Sequence, residues 1–323
     1  MATAEQLKSL IRSHLSGDAE RFFMTALQVA AHEAIQGHGS LANDIREIVD
    51  RARREPRPVV AKARLDLKGL VLSEEPTTPL SSLVMPQTLL IRIQRVIEEY
   101  RQQNKLKSHG LGHRRKILLI GPPGTGKSMT ARVLAKELRL ELHSIQVDKM
   151  VTKFMGETAA KLRQVFDLIN EVPGVYLFDE FDAIGSDRSL DNDVGEMRRV
   201  LNAFLQFMEQ DKSESLIIAA SNNPALLDDA LFRRFDDVLY YELPKSADRK
   251  RIIKNVSGTF LPVVNQWQTM ISASNGLSHA EIDLATKDAI KQAILSDLKR
   301  IPVSLLAKML KERKATRRGK TKE

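Results

Sequence analysis

No cysteine occurs in the 323 residues, which excludes disulfides, a thiol nucleophile and cysteine-ligated zinc. That usage fits a reducing compartment, and the cytoplasm is the expected location. Aromatic residues are sparse at 5%, with a single Trp, so the core must rest on aliphatic side chains. Long apolar runs are missing too. Stretches such as Lys116-Ile-Leu-Leu-Ile-Gly121 are far too short to span a bilayer, and no membrane association is expected. Met1-Ala-Thr-Ala-Glu-Gln has neither the basic patch nor the apolar stretch of a secretory signal. A zinc-protease string is also incomplete: His32-Glu-Ala-Ile-Gln36 lacks the second histidine of His-Glu-x-x-His, so cleavage of peptide bonds by this chain is not expected.

The net charge is +9, unevenly spread. Lys308 to Glu323 holds eight Lys/Arg against two Glu, a net +6 of that total. Such a segment reads as a solvated, disordered arm, with contact to nucleic acid or an acidic partner as the alternative. Residues 3–54 read as three short helices, broken at Gly17-Asp18 and at Gly37-His-Gly-Ser40. Glu55-Pro-Arg-Pro58 ends them, an extended stretch follows through Val71-Leu72, and a helix is expected from about Pro86 to Gln103. From residue 115 short apolar strands alternate with amphipathic helices. The strand candidates are Ile117–Ile120, Leu140–Gln146, Val175–Phe178, Leu216–Ala220 and Val238–Tyr241. This predicts an α/β fold around a parallel five-stranded sheet. After Pro244 the pattern is helical to about Leu310.

Gly121-Pro-Pro-Gly-Thr-Gly-Lys127-Ser128 follows the first of these strands and opens a helix, the setting of a P-loop. Glycines let successive amides turn inward on phosphates, the helix N-terminus adds partial positive charge, and Lys127 adds a full one. Pro123, Gly124, Thr125, Gly126, Lys127, Ser128 and Met129 are the expected ATP cradle, with the Ser128 hydroxyl on Mg²⁺. Val175-Tyr-Leu-Phe-Asp179-Glu180 places two acids where a buried strand ends. Asp179 is expected to hold Mg²⁺, and Glu180 to orient and deprotonate the attacking water. Leu216-Ile-Ile-Ala-Ala-Ser-Asn222 ends another strand in an amide that could reach the γ-phosphate. Arg233-Arg234, alone, reads as surface ion pairs; in an ATPase the two are candidates for arginine fingers.

In this order and spacing the four elements resemble the AAA family of ring-forming ATPases, in the subgroup with a second region of homology. The resemblance covers roughly residues 80–300. Gly121–Ser128 resembles the family's Walker A, Phe178-Asp-Glu-Phe-Asp-Ala-Ile-Gly185 its Walker B, and Ala219–Asp236 its second region of homology. It implies that Asn222 is sensor 1 and that Arg233 and Arg234 are fingers reaching a neighbouring subunit. The Pro-Gly that many relatives place between the two arginines is absent here. Gly276-Leu-Ser-His-Ala-Glu-Ile282 resembles the motif that opens a lid helix, with His279 where the family has glycine. The implied organisation is a helical N-terminal domain (1–58), a linker (59–79), a large α/β ATPase domain (80–244), a small all-α lid (245–307) and a basic tail (308–323).

Lys153-Phe-Met-Gly-Glu-Thr158 resembles the central-pore loop of AAA protein remodellers, which makes Lys153, Phe154 and Met155 the expected grip on an extended peptide. Ser186–Gly195 is a candidate second pore loop. The resemblance therefore implies a homo-hexamer that remodels protein substrates. The whole chain looks most like compact, stand-alone bacterial AAA ATPases, some of which work beside a separate subtilisin-like serine protease. A nucleic-acid-directed ATPase, a loader or transposition helper, is the rival expectation.

Overall fold

The computed structural model describes residues 8–9, 13, 19–54, 67, 69–150, 155–184, 193–223, 229–262 and 266–319. The chain divides into two compact units, Met1–Ala61 and Lys62–Glu323. In the first unit, α1 (Ala19–Ile35) and α2 (Gly39–Arg54) pair through Phe23, Ala26 and Val49. The earliest of the three expected helices falls almost entirely outside the described residues.

The second unit is built on a six-stranded sheet. Its elements run β1 (Val71–Glu74), α3 (Gln87–Arg101), β2 (Lys116–Ile120), α4 (Lys127–Leu138), β3 (Leu142–Ile145), α5 (Met155–Glu171), β4 (Val175–Phe178), α6 (Asp193–Gln210), β5 (Leu216–Ser221) and β6 (Asp237–Tyr240). The spatial order is β1-β3-β4-β5-β2-β6; β2 to β6 are parallel, and β1 pairs antiparallel with β3. The five expected strands are all present. The sixth, β1, lies inside the segment read as a linker, because it is an edge strand whose residues are exposed apart from the half-buried Val71. A strand with so little buried surface leaves no readable alternation.

Strands β4 and β5 are buried from end to end, as a parallel sheet covered on both faces requires. Their side chains alternate between two cores. Leu118, Ile120, Tyr176, Phe178 and Ile217 face the core that holds Phe166, Phe181 and Phe204. Ile117, Leu119, Val175, Leu177 and Ile218 face the core that α3 and α4 supply through Ile93, Val96 and Leu134. Burial on both sides fixes register, because a one-residue slip would exchange the two sets.

Beyond the sheet, α7 (Ser246–Ser257), α8 (Trp267–Ala273), α9 (His279–Leu295) and α10 (Val303–Gly319) pack around Ile253, Met270, Ile282, Ala289, Leu306 and Leu310. One sequence expectation is corrected here. The basic segment from Lys308, read as a disordered tail, is helical to Gly319. Leu306, Met309 and Leu310 bury one stripe of it, and Arg313 pairs with Asp288 of α9 at 3.1 Å. No proline or glycine interrupts residues 303–318, and Lys/Arg are good helix formers that also favour a helix C-terminus, so the packed turns extend the helix outward.

Candidate functional site

The C-terminal edge of the sheet carries the site, at the crevice where parallel strands hand over to loops. The chain leaves β2 at Gly121, whose φ of +154° and close approach to Tyr241 both require glycine: a Cβ there would collide with the Tyr241 carbonyl. Gly124 (φ +73°) is equally confined, because a Cβ would stand 2.8 Å from the Ser278 hydroxyl. Through this turn the backbone reaches α4 without a side chain in the way, which leaves the amides of the turn open to phosphate oxygens.

Lys127 is buried and donates to the carbonyls of Gly121 (2.7 Å) and Pro122 (3.0 Å) and to Oδ1 of Asn222 (2.8 Å). Burial pushes its pKa below the usual lysine range, while Asp179 and Asp182 oppose the shift. The Ser128 hydroxyl donates to Oδ2 of Asp179 at 2.6 Å. Glu180 is exposed and sits at φ +53°, a left-handed conformation uncommon outside glycine and concentrated at functional sites. Its amide donates to Oδ1 of Asp179 at 3.0 Å, and the Asn222 amide donates to Oδ1 of Asp182 at 3.2 Å.

These groups line one cleft of about 530 Å³, within the range of small-molecule sites. Pro123, Gly124, Thr125, Gly126, Lys127, Ser128, Met129, Asp179, Glu180 and Asn222 all border it. The expected residues of the nucleotide cradle and the expected base therefore meet in one place. Arg233 and Arg234 do not border the cleft; they lie in the turn before β6. Arg234 pairs with Glu209 at 2.9 Å, and Arg233 is exposed. Lys153 and Phe154 lie outside the described residues, as does most of the candidate second pore loop. Met155 opens α5.

Sequence reasoning missed the far wall. The loop Ser82–Met85, Ile252 and Val256 of α7, and Asp283 and Lys287 of α9 complete the cleft. They carry no motif, and only the helical spacing 280, 283, 287 could have shown a shared face on α9. Asp182 lies inside the Phe178–Gly185 motif, and its Oδ1 accepts from the Asn222 backbone amide. His279 borders the cleft, and both its ring nitrogens are buried without a hydrogen bond of standard geometry. Burial lowers its pKa, opposed by the Asp248 carboxylate and the Val84 backbone. Ser278 caps α9: it accepts from the Glu281 amide at 3.3 Å, and its own amide donates to the Glu281 carboxylate at 2.7 Å. The Ala280 amide donates to the Gly124 carbonyl at 3.0 Å, pinning the start of α9 to the phosphate turn.

Oxygen donors at Ser128 and Asp179 suit a magnesium ion, which takes few carboxylates and completes its octahedron with phosphate oxygens and water. Among the described residues no helix is long and apolar enough to cross a membrane.

The model of the ATPase family associated with various cellular activities (AAA) matches residues 117–243. An uncharacterised AAA family ATPase of Sinorhizobium fredii is 30% identical over all of this chain and 98% of its own length. A putative 26S proteasome regulatory subunit homologue of Methanothermobacter thermautotrophicus is 32% identical over 62% of this chain and 56% of its own. A peroxisomal ATPase of Schizosaccharomyces pombe is 37% identical over 48% of this chain and 17% of its own. The chain thus spans nearly the whole of the first relative and about half or less of the other two.

Proposed function

The chain belongs to the AAA family and hydrolyses ATP, and from that premise we propose that it is a ring-forming motor that remodels protein substrates. The observation that carries the ring is the separation within one subunit. Lys127, Asp179, Glu180 and Asn222 border the cleft, whereas Arg233 and Arg234 do not. On this reading the arginine that joins Lys127 on the γ-phosphate comes from a neighbour. Arg233, exposed, is free to reach one; Arg234 is engaged by Glu209 of its own subunit and braces the turn.

Within the cleft Lys127 draws the γ-phosphate toward Asn222. Glu180 accepts a proton from the water that attacks the γ-phosphorus, and ADP departs as the bond to its β-phosphate oxygen breaks. Ser128 and Asp179 would hold Mg²⁺, which supplies charge neutralisation for the phosphate oxygens. Lys153, Phe154 and Met155 are proposed as the substrate grip, by their place after β3 and their resemblance to a pore loop. The names of two relatives, a proteasome regulatory homologue and a peroxisomal ATPase, favour a protein substrate. A separate serine protease as recipient of the remodelled substrate belongs to the same proposal. The rival reading, a nucleic-acid-directed ATPase, is favoured by one observation, the exposed Lys308 and Lys311 on a helix that ends in further basic residues.

A Glu180→Gln trap separates these readings. It should bind ATP, cease hydrolysis and retain clients in an assembled hexamer. Unchanged turnover would remove Glu180 as the base. Capture of DNA, lost with salt and on replacing the exposed Lys308 and Lys311 by Gln, would favour the rival.

A further inference from the structure

Along α9 the cleft is lined by Ala280, Asp283 and Lys287, three positions on one helix face. Ala280 is fixed to the phosphate turn by its bond to the Gly124 carbonyl. At 1.5 Å per residue, Asp283 stands about 4.5 Å further along the helix and Lys287 about 10.5 Å. Because all three border the same cleft, α9 runs beside whatever continues from the phosphates. In a nucleotide that continuation is the sugar, then the base. The Val84, Ile252 and Val256 side chains supply the apolar slot a base requires. The carboxylate one turn beyond the phosphate cradle remains without an assigned partner in the ligand.

We infer that Asp283 is the ribose-reading residue, its carboxylate accepting a hydrogen bond from a sugar hydroxyl, with Lys287 as its positioning residue. This rests on the reading of the cleft as the ATP site. Carboxylates suit this task because they accept only, and a sugar hydroxyl always has a proton to give. A bare carboxylate this near a polyphosphate would repel it. Here the Lys287 ammonium bonds Oδ2 of Asp283 at 2.8 Å, which cancels the charge and leaves Oδ1 for the sugar. Asp283 is about one-third exposed, so the carboxylate is open to a ligand and not sealed in the lid core. An ordinary surface pair of the i,i+4 kind would show no preference for any sugar.

The test is a binding cycle on the full-length chain with ATP, 2′-deoxy-ATP and 3′-deoxy-ATP, read by calorimetry. Wild type should bind ATP about 10-fold or more tightly than at least one deoxy analogue, the range expected for one charge-assisted hydrogen bond. Asp283→Ala should bring that ratio to within about 2-fold by weakening ATP alone. Unchanged affinity for the discriminated deoxy analogue shows that the variant is folded. If that affinity falls too, Asp283→Leu, which keeps the size and removes both acceptor oxygens, is read in the same way. Lys287→Met should reduce the ratio part of the way. Equal wild-type affinity for all three nucleotides overturns the inference, and so does a ratio that survives in Asp283→Ala. Lys127→Ala is the control for the site itself. If it binds ATP as wild type does, the cleft reading fails, whatever Asp283 does.

Discussion

At the phosphate end of the cleft, polar groups from three adjacent strand ends bond to one another. Lys127, after β2, bonds Asn222, after β5, and Ser128, also after β2, bonds Asp179, after β4. At the nucleoside end, apolar side chains from segments far apart in sequence, Val84, Ile252 and Val256, meet beside His279, Asp283 and Lys287. One end is a fixed frame of charge at a buried sheet edge; the other is a packed wall partly contributed by helices. Chemistry needs preorganised charge and so belongs on the sheet. On the proposed reading, selection among nucleosides would rest on shape and a few polar contacts from α7 and α9.

The largest expected effect tests the phosphate end. Lys127→Ala should lower ATP turnover by about 1,000-fold, on the scale of losing a charge aimed at the transferring phosphoryl group. Phosphate release within a few-fold of wild type would collapse the distinction between the two ends. At the other end, Leu306 is fully buried in the core of α7 to α10. Leu306→Ala should cost about 3 kcal/mol of local stability. Hydrogen exchange should rise in α9 and α10 and stay slow in β2, β4 and β5. Equal acceleration in the strands would show that the helices and the sheet unfold as one unit, and that the comparison draws a line the molecule does not.

A smaller effect is expected from acid. His279 is half-buried with both ring nitrogens shielded from water, and that burial holds its folded pKa below the unfolded value of about 6.5. The unfolded chain therefore takes up the proton first. The stability that comes from a neutral ring is complete above that value and is lost as pH falls below it. His143, whose pKa burial lowers to about 4, adds the same trend from the sheet. His279→Gln should flatten the acid limb of a melting-temperature profile while leaving the His143 contribution. A profile identical to wild type would mean that the ring is not held neutral at the nucleoside end.

The same contrast decides what could be read in advance. Gly121–Ser128, Asp179-Glu180 and Asn222 each lie within a few residues of a strand end, so their spacing along the chain was enough to group them as candidates, whereas the order of the strands in the sheet was not legible. The far wall has no such compression. Nothing in the sequence near Ile252 or Ser82–Met85 says that they face a ligand, because only packing brings α7 and that loop to the P-loop. β1 escaped for a related reason: an edge strand with one half-buried apolar residue has no period to detect. The basic end of α10 was misread because charge density was weighed against order, although the buried Leu306, Met309 and Leu310 had already committed the helix.

The smallest expected effect lies behind the phosphate turn and asks how much of its rigidity comes from side chains. Tyr241 is buried, and its hydroxyl bonds Oγ1 of Thr130 at 2.7 Å; Thr130 in turn donates to the Gly126 carbonyl at 3.0 Å. Burial pushes the phenol's pKa above its usual range, so it stays a neutral donor. Tyr241→Phe removes one link and leaves the Thr130–Gly126 bond in place. The expected loss is about 1 kcal/mol of stability, with turnover changed less than about 3-fold. The backbone clash that keeps Gly121 a glycine involves the Tyr241 carbonyl, which the substitution retains. A turnover loss approaching that of Lys127→Ala would mean that the turn is held by this hydroxyl chain and not by the strand ends, and the phosphate end would owe its geometry to side-chain packing much as the nucleoside end does.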